Sequence, residues 1–169
     1  MTVRIEIATH DAVNYVANHL RELDRAELAA MSAYYDPRPY LADRVMANSL
    51  MAFIARHNNV PVSCWGMVPM WRGVGLAFAF GTDDWGKVLL PMTRQVRGFM
   101  MRFLLENGYH RIECRSLASR PDVGRWLALF DAEQEAVLRG SGARGEDFIL
   151  YRWLKHERLP PSPEGIPGY

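Results

Sequence analysis

The period of the apolar residues changes along the first third of the chain. Alternation over Val3–Ala8 predicts a strand. After it, apolar residues recur every three or four positions as far as Asn48, which predicts helices, with a break at Tyr34–Pro39. Thr9 or Asp11 is suited to cap the first helix because its side-chain oxygen can accept from a free backbone N–H.

The middle of the chain has a strand pattern. Ser49–Arg56 and Val60–Met67 flank a polar turn and predict a β-hairpin, and Val74–Phe80 predicts a further strand. Gly81–Lys87 is a polar connection to the next helix.

An α/β unit follows, and we expect the rest of the chain to pack around it. Pro91 suits a first helical turn, and Gly108 suits the left-handed position that ends a helix. The predicted elements are helix Pro91–Asn107, strand Tyr109–Leu117, helix Val123–Phe130, and strands Glu133–Arg139 and Phe148–Leu154.

The pattern predicts an α/β protein with one domain over residues 1–154 and a Pro-rich C-terminal tail over residues 155–169. Proline cannot continue a helix or a central strand, so we expect an extended tail. The segment Leu159–Tyr169 is the candidate docking segment for a partner.

Composition narrows the classes of function. The 169 residues are 49% hydrophobic and 23% charged, with a net charge of +1, which is typical of a globular protein and disfavours nucleic-acid or membrane binding. Two arginine clusters are interpreted as surface side chains lying along apolar neighbours, with an anion or nucleic-acid site as the alternative. The clusters are Arg94, Arg97 and Arg102, and Arg111, Arg115, Arg120 and Arg125.

The spacing of the cysteines and the length of the apolar runs indicate where in the cell the protein is expected. Cys64 and Cys114 lie in strand-like runs without CxxC spacing, so we expect free thiols, no metal site and a cytoplasmic protein. The sequence has no secretory signal and no apolar run long enough for a membrane helix.

The order of the elements over residues 3–154 resembles that of the GCN5-related N-acetyltransferase (GNAT) superfamily, and the C-terminal half carries the specific matches. The matching residues are Gly108-Tyr109, Arg111–Cys114, Arg125–Leu127 with Ala132, Glu135–Arg139 and Gly145–Arg152. The resemblance implies a mixed, mostly antiparallel sheet of six to seven strands flanked by helices. It also implies that the fourth strand and Tyr109–Leu117 run parallel and splay apart into a cofactor cleft.

The same resemblance places an acetyl-CoA pyrophosphate loop between the fourth strand and the long helix, at Asp83–Pro91. Such a loop needs several converging backbone N–H groups. This one has a single glycine, two carboxylates and a proline that has no N–H. The candidate cofactor-binding residues are Trp85, Gly86, Lys87 and Val88, and we expect Asp83, Asp84 and Trp85 to stand over the cleft.

The catalytic groups that the resemblance implies are also replaced. Leu127 occupies the position of the usual acid tyrosine, and Val74–Phe80 contains no ionisable base. Asp83 and Asp84 are the candidate bases, with solvated loop carboxylates as the alternative. His57 is expected in an exposed turn and His110 at a strand edge.

One GNAT-like group shares these departures: the internal virion protein A family of T7-like short-tailed phages. The similar pieces are Asp84–Lys87, Thr93–Arg102 and Arg125–Leu127. This resemblance implies a virion or assembly protein that binds no acetyl-CoA, located in the host cytoplasm or the virion, with other virion proteins as partners. The alternative is a cytoplasmic N-acyltransferase that uses acetyl-CoA through an atypical loop, so whether the protein is an enzyme stays open.

Overall fold

The computed structural model describes residues 2–155, which form one sheet covered by helices. The strands are β1 (Val3–Ile7), β2 (Met51–His57), β3 (Val60–Trp71), β4 (Val74–Gly81), β5 (Arg111–Leu117), β6 (Glu133–Leu138) and β7 (Phe148–Leu154). The helices are α1 (His10–Asn18), α2 (Glu22–Ala30), α3 (Arg38–Asn48), α4 (Leu89–Gln95), α5 (Met101–Glu106) and α6 (Pro121–Leu127).

The sheet is mixed and mostly antiparallel, so the predicted fold class is confirmed. Its strand order is β1-β2-β3-β4-β5-β7-β6, and only β4 and β5 are parallel neighbours within the described residues. Their pairing covers Val74–Leu76 against Arg111–Glu113, after which the two strands separate. The predicted splay is therefore present, and it opens at the carboxyl ends of both strands.

Residues with special backbone angles stand where the sequence predicts turns. Asn58 and Asn59 have φ angles of 49° and 68° between β2 and β3, a left-handed conformation that asparagine tolerates in tight hairpins. Gly108 has a φ angle of 92° and follows the long helix, as its sequence position predicts.

Each face of the sheet carries its own apolar core. Helices α1 and α3 pack Val13, Val16 and Leu41 against Ile54 and Phe80 on one face. The other core contains Trp65, Met67, Met92, Val96, Leu104, Ile112, Leu127 and Trp153. Buried apolar area on both faces is the main stabilising contribution to such a layered fold.

The long helix differs from its prediction in one respect. Helices α4 and α5 are joined by a π-helical turn, Val96–Met100, whereas the sequence predicts one regular helix over Pro91–Asn107. The turn contains Arg97 and Gly98. Pro91 stands in the first turn of α4, where its missing N–H leaves no hydrogen bond unmade.

Two further findings concern the C-terminal tail and membrane-spanning helices. The conformation predicted for the Pro-rich tail lies outside the described residues from position 156 onward. Among the helices of residues 2–155, none is long and apolar enough to cross a membrane.

Two glycine substitutions are expected to change stability in opposite directions. A Cβ on Gly66 in β3 would lie 2.2 Å from the Met51 carbonyl oxygen, so Gly66→Ala should destabilise by about 1–3 kcal/mol. A Cβ on Gly98 would contact nothing within 4 Å, and Gly98→Ala should stabilise by about 0.5–1 kcal/mol because alanine favours helix. Urea unfolding of both variants measures the two free energies, and equal effects would contradict the packing described.

Candidate functional site

A cleft lies where β4 and β5 separate. It has a cavity of about 270 Å³ with mostly apolar walls. One wall is Leu76–Phe80 of β4, and α2 and α6 form the others. The remaining lining residues include Arg21, Asp24, Glu27, Trp85, Cys114, Arg115, Arg120, Trp126 and Leu127.

Two carboxylates of α2 bind the free strand ends at the mouth of the splay. Asp24 Oδ2 accepts the N–H of Gly81, the last residue of β4, at 2.8 Å. Glu27 Oε2 accepts the N–H of Leu117, the last residue of β5, at 3.0 Å, and the Ser116 hydroxyl at 2.7 Å. Helix α2 thus supplies acceptors for backbone and hydroxyl donors that a parallel partner strand does not reach.

Arg120 joins these two carboxylates. Its Nη1 lies 2.8 Å from Asp24 Oδ1 and 3.4 Å from Glu27 Oε2, and the residue is only 5% exposed. The prediction that Arg120 lies along the surface with its cluster is therefore wrong, because two buried α2 carboxylates provide a charge-neutralising site for it. Arg111 is also paired, with Glu113 and Glu135. Arg115, from the same cluster, lines the cleft together with Arg120.

Burial changes the acidity of groups in the cleft. Desolvation raises the pKa of Glu27, partly offset by the hydrogen bond from Ser116 and the charge of Arg120. Desolvation also raises the pKa of the Cys114 thiol to about 12, and it raises the pKa of the Cys64 thiol. Both cysteines are free, as predicted, and their protonated thiols are poor nucleophiles at neutral pH.

The loop after β4 forms a 3₁₀ helix, Asp83–Lys87, in place of an open phosphate-binding loop. Three N–H groups in and directly after it are used locally. Asp84 N–H donates to Thr82 Oγ1 at 3.3 Å, Trp85 N–H to the Thr82 carbonyl at 3.0 Å, and Val88 N–H to the Trp85 carbonyl at 3.1 Å. The residues present therefore do not fit an acetyl-CoA pyrophosphate, which needs converging, unused N–H groups.

The side chains of this loop do not replace these N–H groups as ligands for a pyrophosphate. Lys87 Nζ lies 2.7 Å from Asp84 Oδ1, so the positive charge is already paired. Gly86 and Lys87 are exposed, and Val88 is fully buried in the core. Of the four candidate cofactor-binding residues, only Trp85 lines the cleft.

Trp85 closes one side of the cleft. Its ring packs so closely on Gly81 that a Cβ there would lie 2.4 Å from Trp85 Cε3, and the Arg21 guanidinium carbon lies 4.3 Å from the ring centroid. Trp126 of α6 contacts Trp85 edge to face, with centroids 5.7 Å apart, and its Nε1–H donates to Thr93 Oγ1 at 3.0 Å. This aromatic pair bridges α6 and the long helix.

Most of the candidate catalytic residues lie outside the cleft walls. Asp83 and Asp84 are exposed and are absent from the cleft walls, so the expectation that they stand over it is wrong: the 3₁₀ turn directs Trp85 inward and leaves both carboxylates in solvent. Leu127 lines the cleft and cannot donate a proton. His57 and His110 are partly buried and lie outside its walls. Within residues 2–155, no group of His, Cys, Asp or Glu is arranged to hold a metal ion.

Comparison with known proteins supports the fold. No family model and no curated protein matches the sequence. The ribosomal-protein-S18-alanine N-acetyltransferase from Escherichia coli is similar in structure, with 12% identity, a TM-score of 0.67, and coverage of 95% of this chain and 99% of that one. The chain has the GNAT fold.

Two further GNAT-fold structures cover similar shares. A putative acetyltransferase from Salmonella typhimurium, determined with its cofactor acetyl-CoA, is 13% identical, with a TM-score of 0.65 and coverage of 96% and 99%. The ribosomal-protein-S5-alanine acetyltransferase from Vibrio fischeri is 16% identical, with a TM-score of 0.64 and coverage of 95% and 97%. At these identities the likeness establishes the fold alone.

Removing Arg120 is expected to be strongly destabilising. Arg120→Met leaves Asp24 and Glu27 as buried carboxylates without their main counter-charge, which should cost about 3–5 kcal/mol. Arg102→Met is the matched control, because the Arg102–Glu106 pair is exposed and solvent-screened and should contribute little to stability. Equal losses in urea unfolding would show that the buried network contributes no more than a surface pair.

The raised pKa of Glu27 predicts a pH dependence with a definite sign. Between the ordinary glutamate value of 4.5 and the raised folded pKa, the folded state holds more protons than the unfolded state. The free energy of unfolding of the wild type, relative to Glu27→Gln, should therefore fall as pH rises above 4.5 and then level off.

Glu135→Gln is the control with the opposite sign. The hydrogen bond from Arg111 lowers the pKa of Glu135, so its contribution is present above 4.5 and is lost as pH falls through the folded pKa. Urea unfolding at pH values below and above 4.5 measures the difference in unfolding free energy between the wild type and each variant. A Glu27 difference that rises with pH would contradict the assignment.

Proposed function

We propose that this protein is a GNAT-fold binding protein without acetyl-CoA chemistry, acting as a virion-associated or assembly component. The observation that carries the loss of cofactor chemistry is the loop after β4, whose N–H groups of Asp84, Trp85 and Val88 are bonded within the loop. A pyrophosphate would have to break those bonds and approach the exposed carboxylates of Asp83 and Asp84.

The aromatic closure supports the same proposal. Trp85 and Trp126 are in contact, and the hydrogen bond from Trp126 to Thr93 ties α6 to α4. A cofactor entering the splay between these helices would have to separate the two rings. The cleft wall also offers no acid to a leaving thiolate at Leu127, and the Cys114 thiol is held protonated by its raised pKa.

The virion role rests on the sequence resemblance of Asp84–Lys87, Thr93–Arg102 and Arg125–Leu127 to the internal virion protein A family. The Pro-rich segment Leu159–Tyr169 is proposed to dock on another virion or assembly protein, since extended proline-rich segments bind aromatic grooves without losing much conformational entropy. Neighbouring portal and capsid genes, and the chain at a fixed copy number in purified particles, would support this role. Its absence from the particles would contradict it.

A second candidate function is an N-acyltransferase with an atypical loop. One observation favours it: β4 and β5 still splay apart after Leu76 and Glu113 around a cavity of about 270 Å³. Acyl transfer in this fold depends largely on positioning an amine against a thioester, so a missing acid need not abolish it.

Acetyl-CoA binding distinguishes the two candidates. We expect no saturable heat by calorimetry and no rise in Tm with the cofactor at about 1 mM, whereas a ligand at a hundred times its Kd stabilises by about 2.7 kcal/mol. Lys87→Glu is the diagnostic variant. Stabilisation of the wild type that disappears in Lys87→Glu would place the cofactor at the loop and overturn the proposal.

A further inference from the structure

Most carboxylate oxygens on the α2 side of the cleft already accept hydrogen bonds from the chain. Both oxygens of Asp24 are used, by Arg120 on one and by Arg21 and Gly81 on the other. Glu27 Oε2 accepts from Ser116 and Leu117. Three of the four carboxylate oxygens of Asp24 and Glu27 therefore have donors among the described residues.

Two arginines in the same walls keep unused donors. Arg120 is 5% exposed, and its Nε–H has no acceptor among the described residues. The Nε–H of Arg115 is also shielded from solvent and lacks an acceptor there. Neither Nε atom is exposed to the cleft, so a ligand there can reach only the exposed part of the Arg115 side chain.

Arg115 is the cation that such a ligand can reach. Its side chain is 38% exposed, and the nearest carboxylate oxygen, Glu113 Oε2, is 3.7 Å from its Nη2, beyond hydrogen-bond distance. The other oxygen of Glu113 binds Arg111 at 2.7 Å. The exposed part of the side chain thus lies at the cleft, at ion-pair distance from Glu113 but without a hydrogen bond to it.

The walls around Arg115 define the body of that ligand. Arg115 lines the 270 Å³ cavity and a neighbouring groove of about 560 Å³, and the two share Leu28, Met31, Leu76 and Phe78. Ser49 Oγ in the groove is buried and has no partner among the described residues. Apolar walls with a few placed polar groups are typical of small-molecule sites.

We propose that this cleft binds a small organic acid, a carboxylate carried on a flat apolar body, and that Arg115 binds its carboxylate. The apolar body lies between Leu28 and Phe78, and the carboxylate binds the exposed N–H groups of the Arg115 guanidinium. The proposal goes beyond the proposed function and is tested separately, with a different ligand and with a residue outside the loop after β4. Acetyl-CoA binding would overturn the proposed function and leave this site to be tested on its own.

Three probes with one apolar body and different head groups test the charge assignment. We expect calorimetry with the full chain to show saturable binding of 3-phenylpropionate below about 10 mM. The neutral 3-phenylpropanamide should bind at least about tenfold more weakly, because it loses the charge-assisted hydrogen bonds. The cation 3-phenylpropylamine should not bind saturably. No saturable binding of the acid, or an amine that binds as tightly, would overturn the proposal.

A pair of variants tests the residue. Arg115→Gln should weaken 3-phenylpropionate at least about tenfold and abolish its preference over the amide. Arg125→Gln removes an exposed arginine outside the cleft walls and should leave the Kd unchanged. Unchanged acid binding in Arg115→Gln would overturn the assignment of Arg115.

Discussion

The splay between β4 and β5 depends on the two α2 carboxylates that bind the separated strand ends. Strands that diverge inside a protein leave backbone N–H groups without partners, and a buried unpaired N–H is costly. Asp24 accepts from Gly81 and Glu27 accepts from Leu117, so the cleft opens without leaving these donors unpaired. Arg120 then neutralises the pair, which makes a buried ion network the structural base of the cleft.

The two sides of this cleft have different properties. On the side of the long helix, Trp85 and Trp126 are in contact and the loop amides are bonded to the loop itself. On the α2 side, an apolar cavity borders Arg115, whose guanidinium keeps unused donors. The chain thus has the GNAT fold, with an aromatic pair packed on the long-helix side of its cleft. The exposed part of the Arg115 side chain lies on the side where a different ligand can enter.

Trp85 shows how one loop residue links the two sides. Its ring packs on Gly81 and Trp126, while Arg21 stacks on it and also binds Asp24 at 2.8 Å. A change at Trp85 would therefore reach both the aromatic closure and the buried ion network. The loop sequence alone marks Trp85 as a candidate, but it does not distinguish a cofactor contact from a packing residue.

Local periodicity determined the elements, because the side chains of strands and helices repeat every two and every 3.6 residues along the sequence itself. It placed β1 to β7, and the glycine at position 108 marked the end of the long helix. The parallel splay was an expectation from the GNAT resemblance. Periodicity did not reveal the π-helical turn at Val96–Met100, which local spacing does not mark. Nor did it reveal the ion network. Arg120 and Asp24 are 96 residues apart, and only tertiary packing brings such charges together and removes them from water.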